Sequence, residues 1–139
     1  MASNSTFANT YKNLADNVPE KVCIQMSNLY FRFLQIANAI QKESIPALDE
    51  NSIALLNTIA LKHSQGRPMT VSQAMGLTAL GSQTTLHRRL DALREAGFIE
   101  QVLQGPDRRI KYLIPTAAAQ AYFSKMGSAF ASVTKVSET

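Results

Sequence analysis

The sequence predicts a mainly α-helical protein with a small β-hairpin, bracketed by two long helices. Three observations carry that expectation. Apolar residues recur at three- and four-residue spacing over most of the chain, the two β-prone runs lie next to each other around a turn, and cap-forming residues stand where one periodic segment gives way to the next. The 139 residues suffice for a single domain with one real core. Its expected layout is a mobile arm over residues 1–18, a long helix over 19–43, a central region over 49–115 and a last long helix over 116–136.

Val22, Met26, Leu29, Phe33, Ile36 and Ile40 follow one another at spacings of 4, 3, 4, 3 and 4, which puts them on one face of a helix from about Pro19 to Glu43. Proline fits its first position because the missing N–H would lack a helical partner there. At 1.5 Å per residue such a helix reaches about 37 Å, more than one small core covers, so part of it is expected to bury against another chain. Ser44, Ile45 and Pro46 break the pattern. Asp49 then offers an oxygen to cap a helix from about Glu50 to Ser64, whose inner face is Ile53, Leu56 and Ala60 and whose end, Lys62 and His63, suits the negative C-terminal pole. After Gly66 and Pro68, Thr70 and Gln73 match the T-x-x-Q capping box that opens a short helix at Val71.

Ser82 precedes a helix from about Gln83 to Ala96, with Gly97 as its stop. Leu86, Leu90 and Leu93 face the core, Thr84, His87, Arg88, Asp91 and Glu95 project outward, and Arg89 lies at the edge of the buried stripe. Phe98 to Gln104 and Arg109 to Ile114 read as hairpin strands joined by Gly105, Pro106, Asp107 and Arg108. Pro115 ends the second strand, and Thr116 can cap the last helix, about Ala117 to Val136, with Ala119, Tyr122, Met126, Ala129, Val133 and Val136 as its apolar stripe.

Composition narrows the function. Apolar residues at 45% and charged residues at 17% exclude disordered and low-complexity chains. The longest nearly apolar stretch, Ile53 to Leu61, falls well short of the ~20 residues of a membrane span. The N-terminus lacks the basic and apolar regions of a secretory signal, so a cytoplasmic protein with no membrane partner is expected. One cysteine, Cys23, and two histidines far apart point to no disulfide framework and no metal site. Without a Gly-rich phosphate loop, a G-x-S-x-G elbow or an H-E-x-x-H pair, neither an enzyme nor a cofactor is expected. The net charge of +4 is localised: residues 62–111 hold eight basic against four acidic side chains, and the remainder balances. That excess, with His63 and His87 in the same stretch, suits a surface that binds phosphate.

Three helices, the last with a basic outer face near its start, followed by a hairpin with arginines at its tip, are the order of a winged helix-turn-helix. A helix about 10 to 12 Å across fits the major groove of double-stranded DNA, where its N-terminal half meets base edges. Gln83, Thr84, Thr85, His87, Arg88 and Arg89 are the candidate DNA-binding residues on that helix, Arg89 being equally suited to an internal ion pair with a carboxylate. Arg108 and Arg109 are the candidates on the hairpin, for the narrow, negative minor groove beside it.

Gly97-Phe98-Ile99-Glu100, then Pro106-Asp107-Arg108-Arg109, then Pro115-Thr116 resembles the wing of the multiple-antibiotic-resistance regulator (MarR) family, which runs G-L-V-E, D-R-R and L-T at matching spacing. Thr70-Val71-Ser72-Gln73 and Ser82-Gln83-Thr84-Thr85-Leu86 resemble the family's helix starts, so the likeness covers about residues 50–120 by motif and the flanking helices by arrangement. The resemblance implies a homodimer knit by the terminal helices and a repressor that releases a palindromic operator when a small-molecule ligand binds. It also implies that Asp107 braces Arg109 by a salt bridge, with Arg109 as minor-groove probe and Arg108 near phosphate. The chain departs from the pattern at Gln101 and Val102, where the family usually has basic residues, and at Ala119, which replaces a glycine. Its 23 residues after Thr116 are fewer than usual, which implies one C-terminal helix per chain in the dimer.

Two further features have competing readings. Cys23 is a candidate redox sensor, with Tyr30 seven residues on, but free cysteine is among the most commonly buried residues and plain packing is the preferred reading. Met26, Tyr30 and Phe33 are candidates to line a ligand pocket, again against the preferred reading of core and dimer packing. For the whole chain the alternative function is a winged-helix module that binds protein through the same surface, without specific DNA binding.

Overall fold

The computed structural model describes residues 19–106 and 109–137; the arm expected over 1–18 and the wing residues Asp107 and Arg108 lie outside the described residues. The elements run α1 (Glu20–Ser44), α2 (Glu50–Ser64), α3 (Val71–Met75), a 3₁₀ turn (Thr78–Leu80), α4 (Gln83–Glu95), β1 (Ile99–Leu103), β2 (Lys111–Pro115) and α5 (Ala117–Ser137). Mainly helical with a two-stranded hairpin, this is the expected fold class.

Local caps explain where the helices begin. Asp49 Oδ1 accepts from Ser52 N at 2.8 Å at the start of α2. Thr70 Oγ1 accepts from Gln73 N at 3.1 Å while Gln73 Oε1 accepts from Thr70 N at 3.0 Å, the reciprocal box expected for α3. Ser82 Oγ takes Thr85 N at 3.3 Å, and Thr116 Oγ1 takes Ala119 N at 3.3 Å. Each such cap is worth about 0.5–2 kcal/mol, because it satisfies a backbone donor that the helix cannot.

By internal contacts the chain divides into two compact units. The larger, Ile40–Gly127, holds α2, α3, α4 and the hairpin. Leu55, Leu56 and Ile59 of α2, Leu86 and Leu93 of α4, and Leu113 of β2 are fully buried there. The inner face of α2 is broader than the expected Ile53, Leu56 and Ala60: Ala60 is half-buried, whereas Leu55 and Ile59 have no exposed surface. The reason is that α2 packs against both α4 and β2, and a helix with neighbours on two sides buries more than one stripe.

The strands pair antiparallel, from Ile99↔Pro115 to Leu103↔Lys111. The second strand begins at Lys111 rather than at the expected Arg109. Gly105, with φ +83°, bends the chain out of the extended region, and Pro106 has no N–H for a ladder, so pairing stops at Leu103 and a longer connection follows. At its base the hairpin is tied down twice. Leu113 N donates to Met69 O at 2.8 Å beside a bridge between Thr70 and Tyr112, and Thr116 N donates to Phe98 O at 3.0 Å while its hydroxyl donates to Gly97 O.

The smaller unit includes the first part of α1 and the last part of α5. Ala37, Ala129 and Val133 are buried in it, and the rings of Phe33 and Phe130 meet edge to face at 6.2 Å. Much of the apolar stripe of α1 stays open: Val22, Met26 and Ile36 are exposed. Among the described residues no helix is long and apolar enough to cross a membrane.

One turn makes a sharp demand on sequence. Gly81 lies at φ +139° and ψ 175°, a region open essentially to glycine alone, and a Cβ there would stand 2.9 Å from Thr85 Cγ2 and 3.0 Å from Arg89 Nη1. Gly81→Ala is expected to destabilise the protein by about 1–3 kcal/mol, read from the urea midpoint. An unchanged midpoint would refute this account of the turn.

Candidate nucleic-acid interface

Helix α4 presents its polar side because Leu86, Leu90 and Leu93 bury the other. Gln83, Thr84, His87 and Arg88 are exposed on its N-terminal half, and no acidic residue stands in its first turn. Thr85 differs from its neighbours: it is half-buried and its hydroxyl accepts from Ser82 Oγ at 3.1 Å, so it serves the cap. The acids of α4 lie further along, where Asp91, Glu95 and Glu100 of β1 line a separate groove with Arg94, Ile99 and Gln101.

Arg89 points inward, which corrects its place among the candidate DNA-binding residues in favour of the internal ion pair. Its side chain is 14% exposed, its Nη2 donates to Asp49 Oδ2 at 3.3 Å, and its Nη1 donates to Leu80 O at 3.0 Å. Nε is buried and makes no hydrogen bond. Asp49 thus has two duties, capping α2 with one oxygen and holding Arg89 with the other. The bonds from the backbone and side chain of Ser52, then the Arg89 guanidinium, lower its carboxyl from the ordinary 3.8 to about 2.

On the hairpin, Arg109 is exposed and lies in the connection rather than on a strand. With Ile110 and Lys111 it lines a groove whose other wall is Thr70, Val71 and Ser72 at the start of α3. Sequence reasoning singled out Arg109 but passed over Lys111, Thr70 and Ser72 as binding groups. The signal available was the run of cations continuing past the turn; the proximity of α3 follows from the Met69 to Leu113 bond, which no local pattern reveals.

The remaining candidates are on α1. Met26 lines a shallow groove with Gln25, Asn28, Leu29 and Arg32, Tyr30 is exposed beside Phe31 at 6.2 Å between ring centres, and Phe33 meets Phe130. Of the three candidate pocket residues, Met26 is thus placed by a groove and Tyr30 and Phe33 by ring contacts. Cys23 is exposed, against the preferred reading that it packs in an interior. Among the described residues no cluster of His, Cys, Asp and Glu could hold a metal ion.

Among solved structures, the chain is similar to a MarR-like transcriptional regulator from Thermotoga maritima, with a TM-score of 0.59 at 16% identity over 86% of this chain and 81% of that one. A second transcriptional regulator from Thermotoga maritima gives 0.62 at 12% identity, covering 86% and 80%. MepR of S. aureus, bound to ethidium bromide, gives 0.62 at 19% identity, covering 89% and 85%. No protein-family model matches the sequence, and no curated protein is similar to it in sequence.

Because folding lowers the Asp49 pKa, its contribution to stability is complete above pH 3.8 and is lost as pH falls through about 2. Asp49→Asn keeps a capping oxygen but does not titrate there. Urea midpoints measured from pH 5 down to about 2 should therefore fall less steeply in the variant, by a small margin because Asp49 is 61% exposed. Parallel curves would show that the charge on Asp49 adds nothing.

Proposed function

We propose, from the winged-helix fold that this chain shares with MarR-type transcription regulators, that it is a sequence-specific regulator binding double-stranded DNA as a homodimer. The observation that carries this reading is the pairing of two polar surfaces in one compact unit. The exposed Gln83, Thr84, His87 and Arg88 on α4 suit a major groove, and Arg109 and Lys111 beside the start of α3 suit the neighbouring backbone and minor groove. Arg108 belongs to the same wing as a phosphate contact, and Asp107 as the brace of Arg109. The chain acts by binding rather than by catalysis, in the cytoplasm, and as a repressor released by a small molecule.

The homodimer rests on α1 and α5. Val22, Met26 and Tyr30 share one side of α1 and, like Phe130 of α5, are exposed in the smaller unit, more apolar surface than isolated side chains account for. A two-fold partner covers such a face with its own copy, and then presents two recognition helices to successive major grooves. The same cover would turn the open face at Met26, Tyr30 and Phe33 into a pocket. The capture of ethidium bromide by MepR makes an aromatic cation a suitable first probe of that pocket.

Light scattering at micromolar concentration should return twice the 15.2 kDa of one chain. A monomer mass would end the dimer proposal. On a duplex selected from random DNA, half-sites should lie about 10 base pairs apart and affinity should drop steeply with salt. A protein-binding module predicts little salt dependence instead. Arg109→Ala should weaken that duplex by about 1–3 kcal/mol, the range of a good groove contact. Asp107→Ala should weaken it too, although it removes a negative charge; tighter binding by the aspartate variant would contradict the brace.

A further inference from the structure

Two kinds of contact hold α4 in the larger unit. Leu86, Leu90 and Leu93 bury apolar area, and such contacts are non-directional: the stripe keeps nearly all of its burial if the helix rolls a few degrees about its axis. Arg89 is directional. Its planar guanidinium donates at once to Leu80 O, in the turn before the helix, and to Asp49 Oδ2, at the start of α2 forty residues away. Hydrogen bonds hold only within narrow limits of length and angle, so a fork fixed at two points sets roll as well as position. The backbone at Gly81 closes over the fork, since a Cβ there would lie 3.0 Å from Nη1.

His87 and Arg88 immediately precede Arg89 on the helix and turn with it. At a radius of about 5–6 Å a roll of roughly 20° carries a side-chain tip about 2 Å, enough to lose a hydrogen bond to a base edge. We propose that Arg89 and Asp49 form a latch that sets the roll of α4 and so determines base discrimination, with neither residue touching DNA. The latch rests on the DNA-binding reading of α4. Asp49 keeps the negative charge that the latch needs at neutral pH, because its carboxyl titrates far below that range.

Two substitutions open the latch while sparing other duties. Arg89→Met keeps a long apolar stem, and Asp49→Ser keeps a good N-cap but is too short to reach Arg89. Discrimination is measured as the ratio of affinities for the duplex that the wild type selects from a random pool and for a scrambled duplex of the same composition. Both variants should lose about tenfold in that ratio, roughly one base contact, while affinity for the scrambled duplex changes by less than about twofold. Electrostatics alone predicts that Asp49→Ser tightens binding to every duplex, so the two accounts differ in kind. The double variant should lose no more than the worse single one, and Arg89→Lys, which restores a cation opposite Asp49, should recover part of the loss.

An equal loss on both duplexes with a salt slope shallower by about one would make Arg89 a phosphate contact and overturn the latch. Additive losses in the double variant would overturn it as well. Hydrogen exchange of the free protein supplies a readout independent of DNA: Arg89→Met should speed exchange in the first two turns of α4 and leave the middle of α2 unchanged. Unchanged exchange in α4 would also overturn the latch. Should the wild type select no duplex, the DNA-binding reading fails, and the exchange measurement decides the latch by itself.

Discussion

A two-stranded hairpin does not hold its shape in water unaided, and much of the larger unit is arranged to supply what it lacks. Leu113 is the side chain through which β2 enters the core, and its own N–H is taken by Met69 O at 2.8 Å. With the bridge between Thr70 and Tyr112, that bond gives the hairpin a third, one-residue strand in the extended Thr70. It also fixes the base of the wing to the residue that precedes the cap of α3. On the other side Thr116 joins the end of β2 to the start of α5, donating to Gly97 O while accepting from Ala119 N. The groove between Arg109, Lys111 and the start of α3 is a by-product of these ties.

What the sequence made legible was local chemistry. Asp49, Thr70 with Gln73, Ser82 and Thr116 cap the helices assigned to them, because a cap is decided by residues three apart. The stripe Leu86, Leu90 and Leu93 is buried for the same kind of reason, since a helix with one apolar face has one way to lie on a core. Arg89 was not decidable by spacing. Its position at the stripe's edge admits either direction, and the carboxylate that draws it inward lies forty residues earlier. The extent of the hairpin escaped similarly: β-propensity favours Arg109 and Ile110 as strand, but the ladder ends where Gly105 and Pro106 withdraw the facing strand.

The periodicity of α1 shows how pattern and burial separate. Its apolar residues repeat as a helix requires, yet Ala37 is the buried one and Met26 lies open. Periodicity states which side chains share a face. Whether that face is covered depends on what is there to cover it, and among the described residues the smaller unit offers α1 the last part of α5.

The order of charges along α4 has a cost for the free protein. Helices favour acids near the N-terminus and bases near the C-terminus, each worth about 0.3–1 kcal/mol, and α1 and α2 both follow that order with Glu20 and Glu50 in their first turns. Helix α4 departs from it at its start, where no acid stands in the first turn and Arg88 follows, although Arg94 in its last turn keeps to it. In the proposed reading a polyanion supplies the negative charge that the helix withholds from itself. A sequence optimised for the unbound protein would place an acid at Gln83 or Thr84, and would gain thermal tolerance by surrendering the potential that draws phosphate to the reading face. Selection for robustness and selection for occupancy thus pull the same half-helix in opposite directions.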